Sequence, residues 1–211
     1  MAELQKLYDA ILKGDSKGAV EVTKQAIEEK ADPLEMVTKY MIPAMDEVGR
    51  RFECEEYFVP ELLLAGRAMK GALNLIRPLL VESGAEPAGR VVIGTVKGDL
   101  HDIGKNLVAS MLEGGGFDVV DLGADVAPEK FVDAVKEKNA DLVCLSALLT
   151  VTMPAMKTTI EALKNSGVRD RIKVIVGGAP VTQSYAEEIG ADAFGENANV
   201  AVQVARRLVA K

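Results

Sequence analysis

Apolar residues in the first eighty positions recur every three or four residues, which is the spacing of one face of a helix. Gly14-Asp15-Ser16 and Asp32-Pro33 interrupt this pattern, and both are typical of a helix start, the second with proline at the first helical position. The four helices predicted in this way cover about residues 4–12, 16–30, 33–45 and 60–78. Four helices joined by short loops predict a small antiparallel bundle.

Beyond residue 90 the pattern changes to short runs of Val, Ile and Leu, each followed by a helical pattern. The predicted strands are Val91–Val96, Val119–Leu122, Leu142–Leu145, Val174–Val176 and Ala193–Phe194. Their nearly continuous apolar content indicates strands covered on both faces, as in a parallel sheet. With the strand order 2-1-3-4-5, a ligand would bind beyond the carboxyl ends of the strands, between the loops after the first and third.

The two patterns meet in the polar segment 81–89, whose proline and glycines are typical of a linker. We therefore expect a helical domain over residues 1–83 and a sheet domain over residues 84–211. The predicted fold class is α/β, with a four-helix bundle followed by a flavodoxin-like, five-stranded parallel sheet.

Composition excludes several classes of partner. The net charge of −7 is spread evenly along the chain without a basic stripe, which makes nucleic acid an improbable partner. No run approaches the ~20 apolar residues of a membrane span, and the first residues lack the pattern of a signal peptide. The two cysteines, Cys54 and Cys144, lie in different contexts and do not form a disulfide framework. We expect a cytoplasmic protein without membrane contact.

The chain contains a single histidine, His101, in the segment Gly98–Lys105 directly after the first predicted strand. A phosphate-binding loop is excluded because five residues separate Gly98 from Gly104 and asparagine follows the lysine. One histidine is too few for a two-metal phosphohydrolase, and the cysteines lack the spacing of a zinc site. An imidazole two residues after Asp99 instead fits an axial metal ligand whose orientation is fixed by a carboxylate.

Three motifs then carry a specific resemblance. Asp99-x-His101-x-x-Gly104, Ser146-Ala147-Leu148 and Gly177-Gly178 follow one another in the order found in the cobalamin-binding domains of methionine synthase and of corrinoid proteins in anaerobic methyltransferase systems. The segments Ala44–Gly49 and Tyr57–Lys70 resemble the helical cap of the same family. The resemblance covers almost the whole chain.

The resemblance implies a cobalamin or related corrinoid as cofactor, with His101 as the axial cobalt ligand in place of the cofactor's own nucleotide base. Asp99 would accept the other ring N–H of His101, and Thr152 would hydrogen-bond Asp99. Tyr57, Phe58 and Leu62 are predicted to cover the methyl face. The full set of predicted cofactor-binding residues is Gly98, Asp99, His101, Asp102, Ile103, Gly104, Ser146, Leu148, Thr150, Thr152, Gly177 and Gly178.

The function implied is that of a methyl carrier in one-carbon metabolism, not catalytic by itself. Its expected partners are a substrate:corrinoid methyltransferase, a second methyltransferase that delivers the methyl group to tetrahydrofolate or a thiol, and a reductive activator. Two alternatives stay open. One is the cobalamin-binding small subunit of a carbon-skeleton mutase, and the other is a cobalamin-responsive sensor.

Overall fold

The structure is a computed structural model that describes residues 3–210. The chain divides into two compact units. The first extends to Pro87 and includes Glu113–Gly116, and the second consists of Ala88–Leu112 and the chain from Phe117 onward. No helix among the described residues is long and apolar enough to cross a lipid bilayer.

The first unit is helical, and its helices begin where the polar pairs predict. The carboxylate of Asp15 accepts a hydrogen bond from the amide of Gly18, and that of Asp32 from the amide of Leu34, so each caps the free N–H groups of a helix start. The helical elements are α1 (Leu4–Leu12), α2 (Ser16–Glu28), α3 (Pro33–Glu35), a π-helical stretch (Met36–Met41), α4 (Ile42–Glu53) and α5 (Val59–Glu82).

The third predicted helix therefore contains a π-helical stretch between α3 and α4. Pro43 has no N–H to donate, and its ring would collide with the carbonyl oxygen four residues earlier. The preceding turn is widened, and the amide of Ile42 bonds to the carbonyl of Val37, five residues back. The wider turn accommodates Pro43, so the helix continues through it into α4.

The predicted end of the last helix of this unit was wrong by one turn. The apolar pattern predicted an end at about Pro78, but α5 continues to Glu82 with Pro78 inside. The proline removes only one intrahelical bond, whereas the amides of Ser83 and Ala85 still reach the carbonyls of Leu79 and Leu80 and close the last turn.

The second unit contains the predicted sheet. Its strands are all parallel and lie in the order β2-β1-β3-β4-β5, which confirms the predicted topology. The strands are β1 (Arg90–Thr95), β2 (Asp118–Asp121), β3 (Leu142–Ser146), β4 (Lys173–Gly177) and β5 (Ala193–Gly195). The helices between and after them are α6 (Ile103–Gly114), α7 (Pro128–Lys138), α8 (Pro154–Asn165), α9 (Gln183–Glu188) and α10 (Ala198–Val209).

The register of the sheet brings the ends of its central strands to one level. Thr95, the last residue of β1, lies opposite Ser146 of β3, and Ser146 lies opposite Gly177 of β4. The central strands are buried, with residues such as Val92, Val143 and Val174 fully inaccessible to solvent. The loops that follow these strands therefore begin side by side at the carboxyl edge of the sheet, next to its buried core.

The end of α2 provides a test of the backbone geometry. Lys30 follows this helix in a left-handed conformation (φ +59°), and the amides of Lys30 and Ala31 bond to the carbonyls of Ile27 and Ala26 in the pattern of a Schellman motif. A left-handed conformation costs a residue with a Cβ about 1–2 kcal/mol. Glycine avoids this cost, but it loses more conformational entropy on folding, and that loss cancels part of the gain. Lys30→Gly should therefore raise the free energy of unfolding by about 0.5–1 kcal/mol in urea titrations.

Glu29→Gly is the matched control, because Glu29 has an ordinary negative φ of −78° at the adjacent position. That substitution should leave stability unchanged or lower it. Equal effects of the two substitutions would contradict the assignment of the left-handed residue.

Candidate functional site at the ends of strands β1 and β3

His101 lies in the loop between β1 and α6, and the segment 147–153 lies in the loop between β3 and α8. The two loops are neighbours because β1 and β3 pair directly, while β2 flanks β1 on its other side. The chain thus leaves β1 toward one side of the sheet and β3 toward the other, and the crevice between such loops is where parallel α/β sheets bind ligands.

His101 is held by one oxygen of Asp99. Its ring atom Nδ1 lies 2.8 Å from Oδ1 of Asp99, and its backbone N–H donates to the same oxygen at 3.0 Å. Because an ionised carboxylate only accepts hydrogen bonds, Nδ1 carries the proton and Nε2 keeps a free lone pair. The His101 side chain is 51% exposed, so the imidazole is accessible to a ligand.

The carboxylate of Asp99 is fully buried and bonded at both oxygens. Its Oδ2 accepts the hydroxyl of Thr152 at 2.7 Å and the backbone amides of Leu148 and Leu149 at 2.8 and 3.3 Å. Burial acts to raise the pKa of Asp99, but the hydrogen bonds from Thr152, His101 and Leu148 outweigh it and hold the pKa well below the ordinary range. The predicted bond between Thr152 and Asp99 is present.

The same two loops and the first residue of α6 expose large apolar side chains. Isolated exposed apolar residues are common on proteins, but several on adjoining loops indicate a surface that binds something apolar. Three of them are more than 70% exposed. The residues are Leu100, Ile103, Leu148, Leu149 and Val151.

Three further predicted residues are Gly98 and Asp102, which lie in the His101 loop, and Gly104, which lies in the first turn of α6. Gly98 has φ +86° and donates its amide to the carboxylate of Asp125, and the carbonyl of Asp102 accepts the amide of Asn106. A Cβ added at Gly104 would meet no atom within 4 Å. The face of α6 at Gly104 is therefore open, which leaves room for a group lying against the helix start.

The remaining predicted residues lie at the ends of β3 and β4 or in the loops that follow these strands. The carbonyl of Ser146 accepts the amide of Val96, and Thr150 is exposed on the loop. A Cβ on Gly178, at φ +135°, would lie 1.9 Å from the carbonyl oxygen of Ala147, and one on Gly177 would lie 2.9 Å from that of Gly195. Backbone packing alone requires these glycines, so room for a nucleotide tail beside them stays a prediction.

The three residues predicted to cover the methyl face lie in the first unit and differ in accessibility. Phe58 is 61% exposed at the start of α5, whereas the hydroxyl of Tyr57 bonds to the carbonyl of Leu12 and receives a hydrogen bond from Arg51. Leu62 is fully buried, so its prediction as a surface residue is corrected. The apolar period of α5 points Leu62 inward, and the exposed apolar residues beside Phe58 are instead Val59, Leu63 and Leu64.

Sequence reasoning missed three residues that hold the His101 loop. The buried Thr95 bonds to the carbonyl of His101, and Asp125 holds Lys97 and the amide of Gly98. The ammonium of Lys105 is buried against the carboxylate of Asp121 at the end of β2. Lys105 follows the motif directly and Thr95 lies in a predicted strand. Their partners are a distant carboxylate and a backbone carbonyl, which no sequence pattern indicates.

The low pKa of Asp99 predicts a pH-dependent contribution to stability. A carboxylate whose pKa is lowered by folding stabilises the protein above its ordinary pKa of about 3.9, and this contribution is lost as the pH falls toward the folded value. Asp99→Asn should therefore lower the free energy of unfolding by about 2 kcal/mol at pH 7, and the deficit should shrink below about pH 4. Urea titrations at pH 7 and pH 3 measure both values.

Asp133→Asn, an exposed position on α7, is the control and should change stability little at either pH. A deficit for Asp99→Asn that is the same at both values of pH would contradict the hydrogen-bonded, ionised state of Asp99.

Comparison with known proteins identifies the family of the chain. Two models described as B12 binding domain match, one over residues 3–77 and the other over residues 89–205. The chain is 43% identical to the dimethylamine corrinoid protein of Methanosarcina barkeri, over 98% of this chain and 97% of that protein. It is 45% identical to trimethylamine corrinoid protein 2 of Methanosarcina mazei, over 94% and 92% of the two chains.

Solved structures show the same relationship. A cobalamin-binding protein from Desulfitobacterium hafniense matches over the full length of both chains, with 37% identity and a TM-score of 0.80. A chain of the methanol:cobalamin methyltransferase complex MtaBC from Methanosarcina barkeri matches with 30% identity and a TM-score of 0.86, over 98% of this chain and 79% of that one. With both of its units matched, the chain belongs to the B12 binding domain family, within which it is similar to the methylamine corrinoid proteins.

Proposed function

We propose that this chain is a corrinoid-binding methyl carrier, in which His101 would be the protein's ligand to cobalt. The observation that carries the proposal is the state of the imidazole, whose Nδ1 is held by a buried carboxylate while the side chain is 51% exposed and Nε2 keeps its lone pair. A ring fixed at one nitrogen and open at the other is the usual arrangement of a metal-binding histidine.

The residues around His101 fit a corrinoid. The macrocycle is broad and largely apolar, and the loops beside the imidazole expose Leu100, Ile103 and Val151 to receive it. The open face at Gly104 leaves space next to the imidazole. A nitrogen donor surrounded by apolar side chains is the combination that such a ligand requires.

Bound corrinoid would supply a cobalt centre that takes a methyl group from one partner and releases it to another. Asp99 holds the proton at Nδ1 of His101, so Nε2 can donate its lone pair. Thr152 and the amide of Leu148 keep the Asp99 carboxylate ionised despite its burial.

Partners follow from the relatives. The MtaBC structure is a complex named for a methanol:cobalamin methyltransferase, and the dimethylamine and trimethylamine proteins are named as corrinoid proteins. We infer that a substrate:corrinoid methyltransferase loads this chain, and that a second methyltransferase, using tetrahydrofolate or a thiol, and a reductive activator complete the system. These relatives favour methyl transfer over the mutase-subunit and sensor alternatives.

The axial ligand can be identified by isotope, because His101 is the only histidine of the chain. Protein labelled with ¹⁵N-histidine and loaded with unlabelled cob(II)alamin should give an electron paramagnetic resonance spectrum with doublet splitting from ¹⁵N. The cofactor's own base contains ¹⁴N and would give a triplet instead. His101→Ala should abolish the doublet, and any purification tag that contains histidine must be removed first.

A ¹⁴N triplet or no nitrogen splitting in the labelled wild-type protein would refute ligation by His101. Asp99→Asn provides the graded case, since it removes the charged acceptor at Nδ1 but leaves the imidazole. It should retain the doublet in a smaller fraction of the protein.

The apolar surface beside His101 makes a separate prediction. Val151 is 80% exposed, so Val151→Asn should change the stability of the free protein little but should weaken binding of cob(II)alamin roughly tenfold, as expected when a ligand no longer covers a valine. Val81→Asn is the control, because Val81 is 73% exposed but belongs to α5 and to neither of the two loops that carry the site. Equal affinities of the two variants in spectroscopic titrations would contradict contact between Val151 and the corrinoid.

A further inference from the structure

Thr95 is a buried polar residue that the proposed chemistry does not use. It is the last residue of β1 and is fully inaccessible to solvent. Its hydroxyl donates to the backbone carbonyl of His101 at 2.9 Å. Its own backbone N–H and carbonyl bond to Gly123 and Val126 in the segment after β2, at 2.9 and 3.0 Å, so the residue itself is firmly fixed.

The position of this bond matters because of how His101 is otherwise held. The backbone N–H and the ring Nδ1 of His101 both bond to Oδ1 of Asp99, so a single atom anchors both groups. One anchoring atom leaves the residue free to pivot about it. The hydroxyl of Thr95 holds the carbonyl of His101 and thereby adds a second fixed point, on the peptide that follows this residue.

We propose that Thr95 is a positioning residue for the axial ligand, which keeps Nε2 of His101 aimed at the site through the backbone carbonyl. The inference rests on the proposed function of His101. Thr95 acts on the imidazole only through this carbonyl, so loss of the hydroxyl should leave His101 in place but less strictly oriented.

A threonine whose hydroxyl only stabilises the fold should not affect the imidazole when it is replaced. The chain contains such a threonine for comparison. Thr159 in α8 is also fully buried, and its hydroxyl donates to the carbonyl of Ala155 at 2.8 Å, within its own helix. Thr95→Val and Thr159→Val each remove one buried hydroxyl and leave one carbonyl without that bond. Both should reduce stability, but only Thr95→Val should alter the imidazole.

The first readout needs no cofactor. In protein labelled with ¹⁵N-histidine, long-range proton–nitrogen correlation spectra report the tautomer of His101 without assignment, because no other histidine is present. Wild type and Thr159→Val should show His101 protonated at Nδ1. Thr95→Val should show a mixture of the two tautomers, since the pivoting ring no longer keeps its contact with Asp99.

The second readout is competition for cobalt. Free ¹⁴N-imidazole added to the cob(II)alamin complex converts the ¹⁵N doublet of His101 into a triplet, and the concentration for half conversion measures how strongly the protein's imidazole is held. Removal of one hydrogen bond should lower that concentration about three- to tenfold in Thr95→Val. Thr95→Ser, which keeps the hydroxyl, should restore the wild-type value.

The outcomes distinguish failure of the proposed function from failure of the positioning role. Absence of the ¹⁵N doublet in wild type would overturn the proposed function and this inference with it. A wild-type doublet with the same tautomer and the same competition in Thr95→Val would overturn the inference alone. If Thr95→Val does not fold, Thr95→Ser and Thr95→Ala replace it as a pair that differs only by the hydroxyl, and equal values for these two would equally refute the role of Thr95.

Discussion

The site depends on the burial of one negative charge, that of Asp99. A carboxylate without access to water is costly unless donors surround it, and this one accepts bonds from His101, Thr152 and the amides of Leu148 and Leu149. These donors come from the loops after β1 and β3. The charge can therefore be satisfied only if both loops adopt the conformation in which the imidazole is oriented.

The contact between the two loops depends in turn on the strand order and register of the sheet. The loops after β1 and β3 meet because the two strands are neighbours and end at the same level, with Thr95 opposite Ser146. The next strand continues that level to Gly177, where glycine is needed because a Cβ would lie only 2.9 Å from the carbonyl oxygen of Gly195. A shift of register by one residue would turn the site residues to the opposite face of the sheet and separate the donors from Asp99.

The parts that the sequence predicts are those set by local pattern. Apolar runs located the strands to within about a residue, because burial on both faces restricts these positions to apolar residues. The alternation of strands and helices indicated the α/β fold and, with it, the strand order. Thr152 became visible only through resemblance to a family, since it lies fifty-three positions from Asp99. Thr95 was not predicted because its partner is a backbone carbonyl, which every residue carries. The π-helical stretch before Pro43 and the helical turn after Pro78 show the same limit, since whether a helix ends at a proline depends on the hydrogen bonds available around it.

The apolar loop residues and the polar network beneath them complement each other. Exposed side chains such as Ile103 and Val151 do not add to the stability of the free protein, so their benefit must come on binding. Binding is stronger when the contacting groups are already ordered, because the ligand then does not have to offset the entropy of fixing a loop. Asp99 ties the two loops together from below, and Thr95 fixes the residue that carries the donor nitrogen. The buried hydrogen bonds therefore hold the exposed apolar side chains and His101 in the conformation in which both can contact a ligand.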